Sequence, residues 1–125
     1  CRPCPVFHMS AAEASFVKYG INTFLATKVT FFNQMYDIAK KHGANYNTII
    51  SALGSDPRIT HSHTTVPGFD NKRGYGGACF PKDTAAFNDF AKTFSLLNEA
   101  IICNNKLRKN YKLDKREKEQ NVQYS

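Results

Sequence analysis

The chain has no apolar run long enough to cross a bilayer, so no membrane-spanning helix is expected. It has no stretch with the charged start, apolar middle and small-residue cleavage pattern of a signal peptide. Its four cysteines are Cys1, Cys4, Cys79 and Cys103, and only the first two are close in sequence. A disulfide framework is therefore not expected, and a reducing compartment, the cytoplasm, is. Cys1 and Cys4 form a CxxC, yet no second pair and no surrounding βαβ pattern accompany it, so no metal site is assigned there. No dense basic run occurs before the last fifteen residues, where Asp114, Glu117 and Glu119 interleave with the cations. That pattern suits a solvated helical face better than a nucleic-acid arm, and no nucleic-acid partner is expected. The formal charge of +7 suits a small anionic ligand such as a nucleotide equally well. No strand pattern and no internal repeat is visible.

What is present is a chain of 125 residues, 42% hydrophobic, with ten Phe and six Tyr, enough for one packed domain. Residues 1–9 form no convincing element and are set aside as a leader or cloning scar. Ser10-Ala11-Ala12-Glu13 reads as a capping box that opens a helix running to about His42, stopped by Gly43. Val17, Ile21, Phe24, Phe31, Phe32, Met35, Ile38 and Ala39 share one face of it. That apolar face is broader than a single neighbouring helix requires, so the helix is central to its domain, part of a dimer seam, or both. Lys28 falls inside the arc and is expected to snorkel outward. Lys18 and Asn22 are four apart at the edge of the face, where a cation and an amide would either meet solvent or converge on a developing negative charge.

Asn45 is expected to cap a short helix from Tyr46 to about Leu53. A long loop follows from Asp56 to Lys82, and loops of that length in compact domains are usually binding segments. His61 and His63 lie on it, but an HxH with one distant cysteine is too few ligands for a structural zinc. Asp83 reads as the N-cap of the next helix, with Phe87, Phe90 and Phe94 at helical spacing. A further helix is expected from about Leu96 to Tyr111, and residues 112–125 as a charged, exposed or frayed tail or as the start of a connector helix that continues it. The fold class is all-α.

Within the loop, Gly74-Tyr75-Gly76-Gly77-Ala78-Cys79-Phe80-Pro81-Lys82-Asp83 packs three glycines, a thiol, a cation and a carboxylate into ten positions. Glycines allow sharp turns and close approach to a ligand. A cysteine at the positive end of a helix, near Arg73 and Lys82, is placed where a thiolate forms readily. Cys79 is the candidate nucleophile, against the plainer reading of a turn with an inert thiol.

Residues 13–28, Asp56-Pro57-Arg58-Ile59 and the ten-residue loop, in this order, resemble the central domain of the UDP-glucose/GDP-mannose dehydrogenase family, over about residues 10–111. The resemblance implies a helical fold like the C-terminal domain of 6-phosphogluconate dehydrogenase, and a homodimer formed through this domain. It implies two successive NAD-dependent oxidations of a nucleotide sugar's primary alcohol to a carboxylate. Cys79 would form a thiohemiacetal and then a thioester. Lys18 and Asn22 would steady the oxyanion, and Asp83 would handle water and protons. Arg58 would reach the substrate of the partner subunit, while Tyr75, Gly76 and Gly77 line the sugar-nucleotide pocket and Lys82 makes a lesser cofactor contact. Thr60 stands where the family usually has glycine. No strand followed by GxGxxG is present, and residues 74–79 cannot substitute because the third glycine position is Cys79. The NAD-binding and C-terminal domains are thus expected to lie outside these 125 residues, and the segment alone to be inactive. The competing expectation is a small basic helical binding or dimerisation module without a catalytic role.

Overall fold

The computed structural model describes residues 3–124, and Cys1 of the CxxC lies outside them. Five helices follow one another: α1 (Ala11–Lys41), α2 (Tyr46–Gly54), α3 (Phe80–Ala91), α4 (Ser95–Leu107) and α5 (Lys115–Glu119). No strand occurs among the described residues, so the all-α class holds. None of the helices is long and apolar enough to cross a membrane.

α1 begins where its capping box places it. The Ser10 hydroxyl accepts from the Glu13 amide at 3.2 Å, and the Glu13 carboxylate accepts from the Ser10 amide at 3.2 Å. With 31 residues it is about 46 Å long and spans the domain. α3 and α4 pack against it, and α2 lies near its C-terminal end.

The seam that α1 buries differs from the apolar face expected of it. Val17, Ile21, Phe24, Phe31 and Ile38 are each at least half exposed, whereas Thr23, Ala26, Thr30 and Asn33 are buried. Threonine can line this seam because its hydroxyl is satisfied inside its own helix: Thr23 Oγ1 donates to Tyr19 O at 2.6 Å and Thr30 Oγ1 to Ala26 O at 2.9 Å. What then faces the neighbours is a methyl group, and a small side chain lets helices approach closely. Only Phe32, Met35 and Ala39 of the expected face turn inward, the last two beside Tyr46 and Val66 in a small cluster at the α1–α2 end. The Tyr46 hydroxyl donates to Thr64 O there and ties α2 to the loop.

Three further elements depart from expectation. Lys28 is only half-buried, and its ammonium, instead of ending in solvent alone, donates to the Ile59 carbonyl at 2.6 Å and pins the loop to α1. α3 begins at Phe80, with Cys79 in the capping position and Asp83 inside the first turn, so Asp83 is not the N-cap. Pro81 explains the earlier start: its preset φ and missing N–H suit the first turn of a helix. The segment after α4 is not a frayed tail. Asp114 and Glu117 form a second capping box for α5, and Glu117 and Val122 are buried.

Candidate active site

The glycine loop is held from beneath by polar side chains of three helices. Asn33 on α1 accepts through Oδ1 from the Gly74 amide at 3.0 Å and from Arg73 Nε at 2.8 Å. Asn104 on α4 pairs with Tyr75 in both directions, accepting from its amide at 2.7 Å and donating to its carbonyl at 3.1 Å. Arg108, capping α4, donates to Arg73 O at 2.8 Å, Gly74 O at 3.2 Å and Asp70 Oδ2 at 2.7 Å. Glu117 on α5 accepts from the Gly77 amide at 3.0 Å.

These supports require two of the glycines. Gly74 has φ +72°, and a Cβ there would lie 2.3 Å from Asn104 Oδ1. A Cβ on Gly76 would lie 2.2 Å from Arg108 Nη1. Tyr75 is buried between them, its ring edge-on to Phe80 at 6.4 Å, and burial pushes its hydroxyl pKa up. Tyr75, Gly76 and Gly77 share one cleft of about 280 Å³ with Phe69, Phe80 and Arg108.

At the far end of the loop, Cys79 is exposed at the N-terminus of α3. One turn on, Asp83 is 1% exposed, and its Oδ2 accepts from Asn22 Nδ2 at 2.6 Å. Its Oδ1 is buried without a hydrogen-bond partner, and Lys82 Nζ is 3.9 Å away. The structure therefore joins two residues 61 positions apart, Asn22 and Asp83, beside the thiol-bearing turn. Lys18 is not drawn into this pair: it is exposed, with its ammonium 5.6 Å from the centre of the Tyr19 ring. Arg58 is also turned away, exposed and held bidentate by its own Asp56 at 3.0 and 2.7 Å. The Arg58 guanidinium lowers the Asp56 carboxyl pKa. Thr60 adopts φ +65°, the left-handed conformation that glycine enters at no steric cost. His63 lies against Phe80, and its pKa is lowered by burial and by Lys28. Among the described residues no group of three or more His, Cys, Asp or Glu could hold a metal ion.

Asn33, Asn104, Arg108 and Glu117 escaped the sequence reading. Asn104 had a signal: it continues the series Leu97, Ala100, Ile101 at helical spacing, where a polar residue must find a buried partner. Asp114 and Glu117 had another, the capping-box spacing.

Glu117 has a consequence for acid stability. Burial raises its carboxyl pKa, but hydrogen bonds from Asp114, Tyr124, Tyr111 and Gly77 outweigh that and leave it below the ordinary 4.5. A folded value below the unfolded one gives stability that is complete above the unfolded pKa and lost as pH falls through the folded pKa. As pH falls below the ordinary 4.5, the thermal midpoint should thus drop more steeply in the wild type than in Glu117→Gln, as followed by circular dichroism.

Residues 12–106 match the model of the UDP-glucose/GDP-mannose dehydrogenase family, central domain. The chain belongs to this family. It is 40% identical over 106 residues to a UDP-glucose 6-dehydrogenase of Rickettsia bellii, covering 82% of this chain and 23% of that protein. It is 38% identical over 105 residues to UDP-glucose 6-dehydrogenase YwqF of Bacillus subtilis, covering 81% and 23% respectively. The corresponding figures for a UDP-glucose 6-dehydrogenase of Campylobacter jejuni are 38% over 107 residues, 85% and 26%. The chain thus spans about a quarter of the length of these curated relatives.

Proposed function

We propose that this chain supplies the nucleophile and part of the sugar-nucleotide pocket of an NAD-dependent UDP-glucose 6-dehydrogenase. The observation that carries the reading is the exposed thiol of Cys79 at the first turn of α3, one turn before an Asp83 that is bonded to Asn22 of α1. In this reading the Cys79 thiolate adds to the carbonyl carbon of the aldehyde intermediate, and the carbonyl electrons move to oxygen to give a thiohemiacetal. The Asn22 amide carries two hydrogens; one is taken by Asp83, and the other is available to the oxyanion. Lys18, exposed on the same edge of α1, would swing in to the same oxygen. Asp83, with one carboxylate oxygen unpartnered, would take the proton of the water that hydrolyses the thioester and returns Cys79 as the leaving group. A thiol serves because one atom must both attack and depart.

NAD does not fit this chain. The described residues form no βαβ unit, and two of the loop's three glycines, Gly74 and Gly76, are spent on Asn104 and Arg108. The oxidations therefore draw on residues outside this segment, with Lys82 offered only as an edge contact. The 125 residues alone should not reduce NAD. A reduced thiol is in keeping with a cytoplasmic place of action.

A second copy of the chain is the proposed occupant of the exposed α1 face. Val17, Phe24, Phe31 and Ile38 recur every seven residues at 50–67% exposure, which is the spacing of a helix–helix seam. Arg58, turned outward on its loop, would exchange its pairing with Asp56 for the partner's substrate. Phe24→Glu should weaken self-association about 10- to 100-fold in sedimentation equilibrium. A wild-type chain that stays monomeric at high concentration would remove the dimer from this reading.

The test of function places residues 10–111 in the Rickettsia bellii relative in place of its matching segment. NADH formation from UDP-glucose that disappears in Cys79→Ser supports the reading. A folded chimera whose activity survives Cys79→Ser overturns it.

A further inference from the structure

Glu117 is fully buried five residues beyond Lys112, in a stretch whose composition is that of a solvent-exposed tail. Burying a carboxylate costs free energy unless its oxygens are satisfied. Here both are: Oε2 accepts from the Asp114 amide at 2.9 Å, and Oε1 accepts from the Tyr124 hydroxyl at 2.8 Å and the Gly77 amide at 3.0 Å. The Arg108 guanidinium stands 3.9 Å from Oε1 and is itself flanked by Tyr111 at 4.5 Å and Tyr124 at 5.7 Å. Residues 111–124 thus close around an Arg–Glu pair whose one tie to the glycine loop on the carboxylate side is the Gly77 amide.

That tie falls where the loop has no other. Asn33 and Asn104 hold Gly74 and Tyr75, and helical bonding begins at the Cys79 carbonyl, which accepts from the Asp83 amide at 2.9 Å. Among the described residues, the Gly77 bond to Glu117 is the one hydrogen bond donated by the backbone of Gly76, Gly77 and Ala78. We infer that the segment after α4 is a clasp, and that Glu117 is a positioning residue which sets the Gly76–Ala78 backbone and through it the placement of Cys79. The inference rests on Cys79 being the nucleophile for its functional meaning, but not for the clasp itself. Three features make the clasp more than tail packing. The carboxylate is spent on a backbone amide two residues before the thiol. Arg108 fills the place of the Cβ that Gly76 lacks. The cap of α5 uses the same Glu117, so docking of the segment and orientation of the carboxylate occur together.

The test uses the full chain and compares wild type, Glu117→Ala, Glu117→Gln and Tyr46→Phe. The last removes a core hydrogen bond at the α1–α2 end and serves as the destabilised control. Two quantities are read: amide hydrogen exchange of Gly77, and the ratio of Cys79 to Cys103 alkylation by iodoacetamide in one sample. Glu117→Ala should speed Gly77 exchange about 10- to 100-fold and lower the ratio severalfold, because the thiol loses its register over the start of α3. Glu117→Gln keeps an acceptor for Gly77 and should restore both to within about threefold of wild type. Tyr46→Phe should leave the ratio unchanged. The clasp is overturned if Glu117→Ala leaves Gly77 exchange unaltered. Its positioning role is overturned if exchange rises while the ratio stays put, or if Tyr46→Phe moves the ratio as much. A wild-type Cys79 no more reactive than Cys103 would count instead against the nucleophile reading, and Gly77 exchange would still decide the clasp.

Discussion

Arg108→Ala should lower the stability of the domain by about 3–5 kcal/mol, the range for breaking a buried charged network by removing one partner. The side chain is 1% exposed and serves three acceptors. Its contact with Asp70 adds little, because that carboxylate is 38% exposed and screened by solvent. The cost arises elsewhere. The carbonyls of Arg73 and Gly74 lose their donor, Glu117 is left as a buried carboxylate without its cation, and the space over Gly76 empties. For a domain of this size such a loss shifts the thermal midpoint by about 10–20 °C. Arg108→Lys should recover only a minor part, since one ammonium cannot span the fork that reaches Arg73 O, Gly74 O and Asp70 together. Thermal denaturation followed by far-UV circular dichroism reads the effect. A midpoint within a few degrees of wild type for Arg108→Ala would show that the network contributes nothing net.

Asp83→Asn should leave the fold intact and reduce turnover of the chimeric enzyme by about 10²–10⁴-fold, the usual range for a positioned acid–base group. The substitution preserves shape and can still accept from Asn22 through its amide oxygen, so packing around the buried side chain is kept. What it removes is the charge and the second acceptor oxygen, Oδ1, which has no hydrogen-bond partner in the folded chain and only Lys82 Nζ nearby, at 3.9 Å. A buried polar atom without a partner is uncommon in a structural role and costs stability. In Asp83→Asn an amide nitrogen takes that unpartnered place, so the thermal midpoint should stay within a few degrees of wild type while most activity is lost, unlike Arg108→Ala. Full activity in Asp83→Asn would assign the carboxylate to structure alone.

Local order in this chain is written in short signals. The Ser10–Glu13 box, Gly43, Asn45 and the absence of any strand pattern are enough for the class, for both ends of α1 and for the start of α2. The ten-residue loop pointed to Cys79 because glycines, a thiol and a helix start lie within reach of one another in sequence. Which surfaces of α1 are inside could not be read the same way. Hydrophobicity favours Phe24 and Phe31 for the core, yet Thr23 and Thr30 occupy it, since a threonine hydroxyl bonded to its own helix no longer counts as polar. The start of α3 was misplaced because Asp83 carries the residue type of a cap, whereas its partner, Asn22, stands 61 residues away.

The sequence by itself therefore determined the helical class, the family and the residue that bears the thiol, all of which depend on neighbours along the chain. The tertiary structure alone decided what holds that thiol's loop. Asn33, Asn104, Arg108 and Glu117 come from α1, α4 and α5, and each meets the loop 29–41 residues away in sequence. No periodicity encodes such pairs; they form because a backbone folded over glycine leaves amides and carbonyls that burial obliges distant side chains to satisfy.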